Sequence, residues 1–297
     1  MWYRNLILVA VLCGPSGLFA DDWISVGSWN IEHFGDRDHG QHPLSIAQHI
    51  RLANVDVLAL QEIYTTTAAV EKLDDVLELL SRAAGQTWKK TVLPNRVVDD
   101  DSQLVAVIWN EDRVKLQQTV AINVQHKRVQ IGSEDARAWD RKPHALQFST
   151  EDGKTDFALI PIHMKSNFDG QPLGRATRKQ EATELVDELP RVTTVLNGEK
   201  DIIVIGDTNC VDASEAALGV LKDAGFRDLN ALDATTYEKG EYKSPFDRAL
   251  VASGPESREF RYSRQYVLRP ANAERHLRKN SDHFVIKIAI QMIDDDD

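Results

Sequence analysis

The chain has 297 residues, of which 42% are hydrophobic and 27% charged, an ordinary globular balance with enough apolar material for a core and room for one large α/β domain. Its formal net charge of −11 argues against a protein that grips nucleic acid by bulk charge, because neutralising phosphates takes Lys and Arg. The acidity does not exclude an enzyme that touches a short stretch of backbone and borrows positive charge from a bound metal ion.

In chain order, the first segment joins Arg4 to the apolar run from Leu6 to Leu12, then Gly14, Pro15, Ser16, Gly17 and Ala20. That is the pattern of a secretory signal peptide over residues 1–20, and the run is too short to span a bilayer. The expected mature chain, residues 21–297, is therefore secreted or periplasmic, with no stable membrane association. Of the two cysteines, Cys13 falls in the signal and Cys210 remains alone, so neither an internal disulfide nor a Cys-type zinc site is expected. Residues 23–29 alternate like a strand, and Leu44, Ala47 and Ile50 have helical spacing. Residues 55–60 are a short apolar run and read as a buried strand. Val70, Leu73, Leu77 and Leu80 predict a helix over 66–84, ended near Gly85. Strands follow at 104–109, 114–124, 145–149 and 157–162. A helix containing 181–189 is expected to end or kink at Pro190. A strand at 202–205, a helix at 213–224 and strands at 246–251 and 284–290 complete the pattern. No composition shift divides the chain, so residues 21–297 read as one domain, expected to be a monomer.

Several apolar runs end in polar residues that do not suit a core: Ser28-Trp29-Asn30-Ile31-Glu32, Gln61-Glu62, His163-Met164-Lys165-Ser166 and Gly206-Asp207-Thr208-Asn209, with Ser281-Asp282-His283 before the last strand. Gathered at one end of a sheet, these groups would make a hard oxygen-ligand metal site with acid–base groups beside it.

The ordered set resembles the endonuclease/exonuclease/phosphatase superfamily, which includes deoxyribonuclease I-like and exonuclease III-like enzymes, and in particular its bacterial secreted nuclease-like members. Asn30 matches the opening Asn, Gln61-Glu62 the Gln-Glu pair, and Arg141-Lys142-Pro143 the Arg-x-Pro of deoxyribonuclease-like members. His163 matches the central His. Gly206-Asp207-Thr208-Asn209 matches Gly-Asp-Phe-Asn with Thr for the aromatic residue. Phe246-Asp247-Arg248 and Ser281-Asp282-His283 match the closing motifs. The resemblance implies an α/β (α+β) fold: a four-layer sandwich of two packed mixed β-sheets flanked by helices, deoxyribonuclease I-like, with the site at one edge of the sheets.

It also implies roles. Glu62 with Asn30 would hold Mg²⁺ or Mn²⁺, with Ca²⁺ as a further candidate, and Asp282 is another metal or orienting group. Asp207 and Asn209 would position the attacking water and the phosphate. His283 would act as general base or hydrogen-bond donor, oriented by Asp247. His163 would donate to a phosphoryl or leaving oxygen, and Asp101 or Gln103 stands where the family sometimes orients that His. Arg141 and Lys165 would contact the substrate phosphate. The implied activity is metal-dependent phosphodiester hydrolysis of nucleic acid, with DNA favoured over RNA and an endonuclease favoured. The alternative is a phosphatase or a sphingomyelinase-like phospholipase. A non-catalytic binding domain is disfavoured by the full set of polar residues. Arg175, Arg178 and Lys179 read as a solvated helix face or the lining of a nucleic-acid groove. The basic stretch from Arg258 to Arg278, with Tyr262 and Tyr266, reads equally as a surface loop or a strand-tracking surface near the site.

Overall fold

Helices begin and end where the backbone needs help. In the computed structural model, which describes residues 22–36, 40–95, 102–150, 153–168 and 170–293, Thr66 caps the second helix by accepting from Ala69 N, and Gly85 closes it in the left-handed conformation. Residues 1–20, where a signal peptide is expected, and the acidic stretches at 99–101 and 294–297 lie outside the described residues. The elements are β1 (Trp23–Phe34), α1 (Pro43–Ala53), β2 (Val57–Tyr64), α2 (Thr67–Ala84), β3 (Trp88–Val92), β4 (Gln103–Asn110) and β5 (Val114–Ala121). A small hairpin, β6 (Arg128–Ile131) and β7 (Glu134–Arg137), precedes β8 (His144–Thr150), β9 (Asp156–His163), α3 (Gln171–Val195) and β10 (Ile202–Asp207). Then come α4 (Ala216–Asp223), β11 (Phe226–Asp228), the hairpin β12 (Tyr237–Lys239) and β13 (Tyr242–Ser244), β14 (Asp247–Ala252), β15 (Tyr266–Leu268), α5 (Ala273–Lys279) and β16 (Val285–Gln291).

Two six-stranded sheets form, in the orders β15-β16-β1-β2-β4-β3 and β11-β14-β10-β9-β8-β5. The apolar runs of the sequence fill both faces of these sheets. In β2, Val57 and Ala59 point into the core between the sheets, while Leu58 and Leu60 point outward under α1 and α2. In β10, Ile203 and Ile205 face the same central core, and Val204 packs under α3 and α4 with Leu185, Val192, Leu218 and Leu221. Three apolar cores thus separate four layers, helix–sheet–sheet–helix, the mixed-sheet sandwich expected from the sequence.

Of the two outcomes expected at Pro190, an end to the helix is excluded: α3 continues to Val195. The missing amide forfeits a single helical bond, and burying Val192 and Leu196 in the core beneath α3 offsets it.

Each sheet centres on a parallel pair, β1 with β2 and β9 with β10, flanked on both sides by antiparallel strands, β16 and β4 in one sheet and β14 and β8 in the other. The C-terminal ends of the parallel strands and the N-terminal ends of β14 and β16 therefore emerge at the same edge of the sandwich.

Candidate active site

The polar residues that end the strands, from Asn30 to His283, gather at or beside that edge. At the end of β1 the ladder with β2 shifts register between Asn30 and Phe34, and Glu32, His33 and Glu62 take φ of 46°, 51° and 64°. Left-handed backbone is uncommon for residues with a Cβ, and it re-aims these side chains toward the gap between the sheets. On the other sheet Gly206 has φ of 149°, and a Cβ there would lie 2.0 Å from Ile162 O. Glycine lets β10 close on β9, so that Asp207 aligns with His163 on one side and Asp247 on the other.

The Asn30 amide ties the two sheets together. Its Nδ2 donates to Glu62 Oε1 at 2.9 Å and to Asp207 Oδ2 at 3.0 Å. Glu62 Oε2 accepts from His33 N at 3.0 Å and from Gln103 Nε2 at 3.1 Å. His163 Nε2 stands 3.9 Å from Glu62 Oε1 and 3.7 Å from Asp207 Oδ2. His283 Nδ1 lies 2.8 Å from Asp247 Oδ2, and its Nε2 lies 3.8 Å from both Asp207 Oδ2 and Asp282 Oδ1. Asn30, His163, Asp207, Asp247 and His283 are all buried.

Burial and neighbours set the protonation states. Burial alone would raise the Glu62 carboxyl, but His163, the Asn30 amide, His33 and His283 outweigh it and hold it at about 2. Asp207 goes the other way, to about 6: its own burial dominates, with Asp247 adding repulsion against the pull of His283 and the Asn30 bond. Burial would discharge His283, yet Asp247, Asp207 and Asp282 carry it to about 10. His163, desolvated and close to Arg141, is held well below the usual imidazole value and is neutral. The edge therefore holds an ionised glutamate, an aspartate poised near neutrality, a cationic imidazole and a neutral one.

The remaining predicted residues lie around this cluster. Asp282 shares Lys239 Nζ with Glu32, at 3.2 and 3.4 Å, and its own amide donates to Glu32. Asn209 turns its amide to Met164 O at 3.1 Å, while its backbone N donates to Asp207 Oδ1. It positions the loop after β9 and the Asp207 carboxylate. Arg141 donates to Gln103 Oε1 at 2.6 Å, and Lys165 Nζ sits 3.2 Å from Asp140 Oδ2, so both rim cations rest on neighbours outside the central cluster. Gln103 does not orient His163. It links Glu62, His33 and Arg141, and among the described residues the buried His163 Nδ1 has no hydrogen-bond partner. Asp101 lies outside the described residues.

Sequence reasoning missed Glu32, His33, Tyr237 and Lys239 as members of the site. Glu32 stood inside the polar string that ends β1. Tyr237 and Lys239 sit on a short hairpin with no apolar period, where only its place next to His283, through the Tyr237–His283 bridge, exposes the connection. Arg178 corrects both readings given to it: it is fully buried, and it donates to Glu215, Lys165 O and the Asn167 side chain. Of the basic stretch after Arg258, the Arg269 end approaches the site, stacking on Phe284 and pairing with Glu238, whereas Tyr266 is exposed and pairs along β16 at Lys287.

Among the described residues, no group of three or more His, Cys, Asp or Glu side chains is set to hold a metal ion. No protein-family model matches the sequence, and neither does any curated protein. Solved structures do match. An endonuclease/exonuclease/phosphatase family protein from Bacteroides thetaiotaomicron is 18% identical with a TM-score of 0.61, over 90% of this chain and 97% of that one. TDP2 from D. rerio, complexed with a single-strand DNA product, is 19% identical with a TM-score of 0.57, over 91% and 99%. A mannosyl-6-phosphatase from B. thetaiotaomicron is 18% identical with a TM-score of 0.59, over 89% and 98%. The fold is that of the endonuclease/exonuclease/phosphatase superfamily.

Proposed function

We propose that this protein is a divalent-metal-dependent phosphodiesterase that hydrolyses nucleic acid, an endonuclease on DNA rather than RNA. The observation that carries this reading is the convergence of ionised Glu62, Asp207 and the Asp247–His283 pair at one sheet edge. Glu62 and Asn30 would hold Mg²⁺ or Mn²⁺, with Ca²⁺ as a further candidate and Asp282 as a further ligand. The residues fit such an ion: Glu62 offers a charged oxygen at neutral pH, and magnesium is commonly held by one or two carboxylates plus water and substrate oxygens, without an enclosing cage. When bound, the metal neutralises phosphate charge and polarises the phosphoryl oxygen.

The chain's own groups supply the proton chemistry. Asp207, near 6, is ionised at neutral pH yet basic enough to accept a proton from a water attacking phosphorus. His283, cationic and held by Asp247, donates from Nε2 to the charge that develops on phosphate. His163, neutral with a single ring proton, donates to a second oxygen. An arriving phosphate competes with Asp140 and Gln103 for Lys165 and Arg141. Support for nucleic acid comes from the His163-Met164-Lys165-Ser166 and Arg141-Lys142-Pro143 segments and from the fold likeness to a DNA-complexed TDP2. The reading includes export through residues 1–20 and action as a monomer without stable membrane association. No described helix is long and apolar enough to cross a membrane.

A second reading, hydrolysis of a small phosphomonoester, is favoured by the comparable likeness to a mannosyl-6-phosphatase. The deciding experiment is incubation of residues 21–297 with supercoiled plasmid and with a sugar-phosphate panel, with Mg²⁺, Mn²⁺ or EDTA. Metal-dependent nicking that EDTA and His283→Ala each abolish is the expected result. Intact plasmid, RNA and linear DNA beside released inorganic phosphate would replace the first reading with the second.

A further inference from the structure

Behind the site, against Trp29, lies a pair of imidazoles that the reaction does not use. His276, on α5, is buried, and its Nε2 is 2.8 Å from the backbone carbonyl oxygen of His283. A carbonyl only accepts, so Nε2 carries the ring proton. Burial holds His276 to about 4, with His49 and His283 adding to the effect, so at neutral pH its Nδ1 has no proton and accepts. The partner of Nδ1 is His49 Nε2, 2.9 Å away, which must then donate. His49 Nδ1 in turn faces the Asn280 amide nitrogen at 3.3 Å, and Asn280 Oδ1 is fixed by Ser45 Oγ at 2.7 Å. The Ser45 carbonyl oxygen stands at the same 3.3 Å from His49 Nδ1, but a neutral ring that donates from Nε2 has no proton on Nδ1, so the bonds run from Asn280 to His49, from His49 to His276 and from His276 to the His283 carbonyl.

The same carbonyl accepts from Trp29 Nε1 at 3.2 Å. Both imidazoles stack on Trp29 with centroids 5.9 Å away, and His276 also stacks on Phe284 at 5.4 Å. The main chain of His283 is thus gripped by two ring N–H donors while its side chain is gripped by Asp247.

We propose that His276 is a positioning residue for His283, and that the neutral His49–His276 relay fixes the carbonyl from which the His283 ring is aimed at Asp207 and Asp247. The proposal rests on the reading of His283 given above. Among the described residues, the charged and titratable groups that face the relay are His283, Asp282 and, across the Phe284 ring, Arg269. If both rings were protonated, N–H would point at N–H and the chain of bonds would break.

The test uses His276→Phe, which keeps a flat ring but no donor, and His276→Gln, which offers an amide N–H that does not titrate. Proton NMR of the metal-free protein reads the His283–Asp247 hydrogen bond, and a chromogenic phosphodiester gives kcat and KM. His276→Phe is expected to shift or broaden that resonance and to lower kcat on the order of ten- to hundred-fold at unchanged KM. His276→Gln is expected to recover most of both. It is also expected to lessen the fall in melting temperature that the wild-type protein shows as pH drops from 6.5 toward 4, where the unfolded imidazole takes a proton that the folded one refuses. A Phe variant with the wild-type resonance and kcat would overturn the proposal, as would a Gln variant no better than Phe. If the protein hydrolyses no phosphoester, the proposed function fails, while the resonance still decides whether His276 sets His283.

Discussion

Two regions of the molecule bury charge, and they do so in opposite ways. Behind the loop after β9, Arg178 is enclosed and saturated: Nε and both terminal nitrogens meet Glu215, Lys165 O and the Asn167 side chain at 2.8 to 3.1 Å. Glu215 takes a further bond from Val211 N, and both oxygens of nearby Glu181 accept backbone amides, from Trp139 and Lys165. At the sheet edge the charges are as deeply placed but unsaturated. His163 and His283 stand 3.7 to 3.9 Å from the Glu62 and Asp207 carboxylates, and among the described residues Asp247 Oδ1 and His163 Nδ1 have no hydrogen-bond partner. Burial of charge alone therefore does not mark a site. At the edge, unspent hydrogen-bonding capacity and closely spaced ionisable groups occur together around one gap, where a substrate can meet them.

The comparison breaks first if activity follows the saturated region. Glu62→Ala and His283→Ala should each cut hydrolysis on the order of a thousand-fold while circular dichroism and cooperative unfolding persist. Wild-type turnover in either variant would dissolve the assignment. Next, Arg178→Met should cost about 3–5 kcal/mol in denaturant unfolding, because Glu215 is left charged and buried. Pairing it with Glu215→Leu should return most of that loss, with turnover per folded molecule little changed. Glu181 sharpens the contrast through pH. Burial lifts its carboxyl from 4.5 to about 7, so between those values the folded state holds a proton that the unfolded state has released. Stability then falls as pH rises through that window, by about 3 kcal/mol, and Glu181→Gln should flatten this dependence in melting curves across pH. The smallest effect belongs to a helix cap: Thr66→Ala, which removes the cap of α2, should lower stability by about 1 kcal/mol in denaturant unfolding.

Much of the candidate site was legible because its members end apolar runs. A carboxylate after Leu60 or an aspartate after Ile205 breaks a buried pattern at a definite position, and strand geometry carries that break to the sheet edge. The helices α1 and α2 were legible from spacing, since one face of each is apolar. Helix α3 misled because Thr177, Arg178, Glu181 and Glu184 fill its inward face, where periodicity expects apolar residues, so a buried arginine read as a solvated one. The hairpins β6–β7 and β12–β13 and the strand β15 were missed because each strand is three or four residues long and carries no period of its own. His276 was invisible for a related reason: its helix has seven residues, and its partner His49 lies 227 positions away in sequence.

The pairing of β1 with β16, with Trp23 opposite Gln291 and Ser28 opposite Ile286, orders events during biosynthesis. The strand that delivers Asn30 is made well before the strand that follows His283. Until β16 arrives, Asp247 has no imidazole to hold and one flank of β1 is open. Before β16 is made, the chain thus carries Asn30, Glu62, Asp207 and Asp247 without the strand that closes their edge of the sandwich.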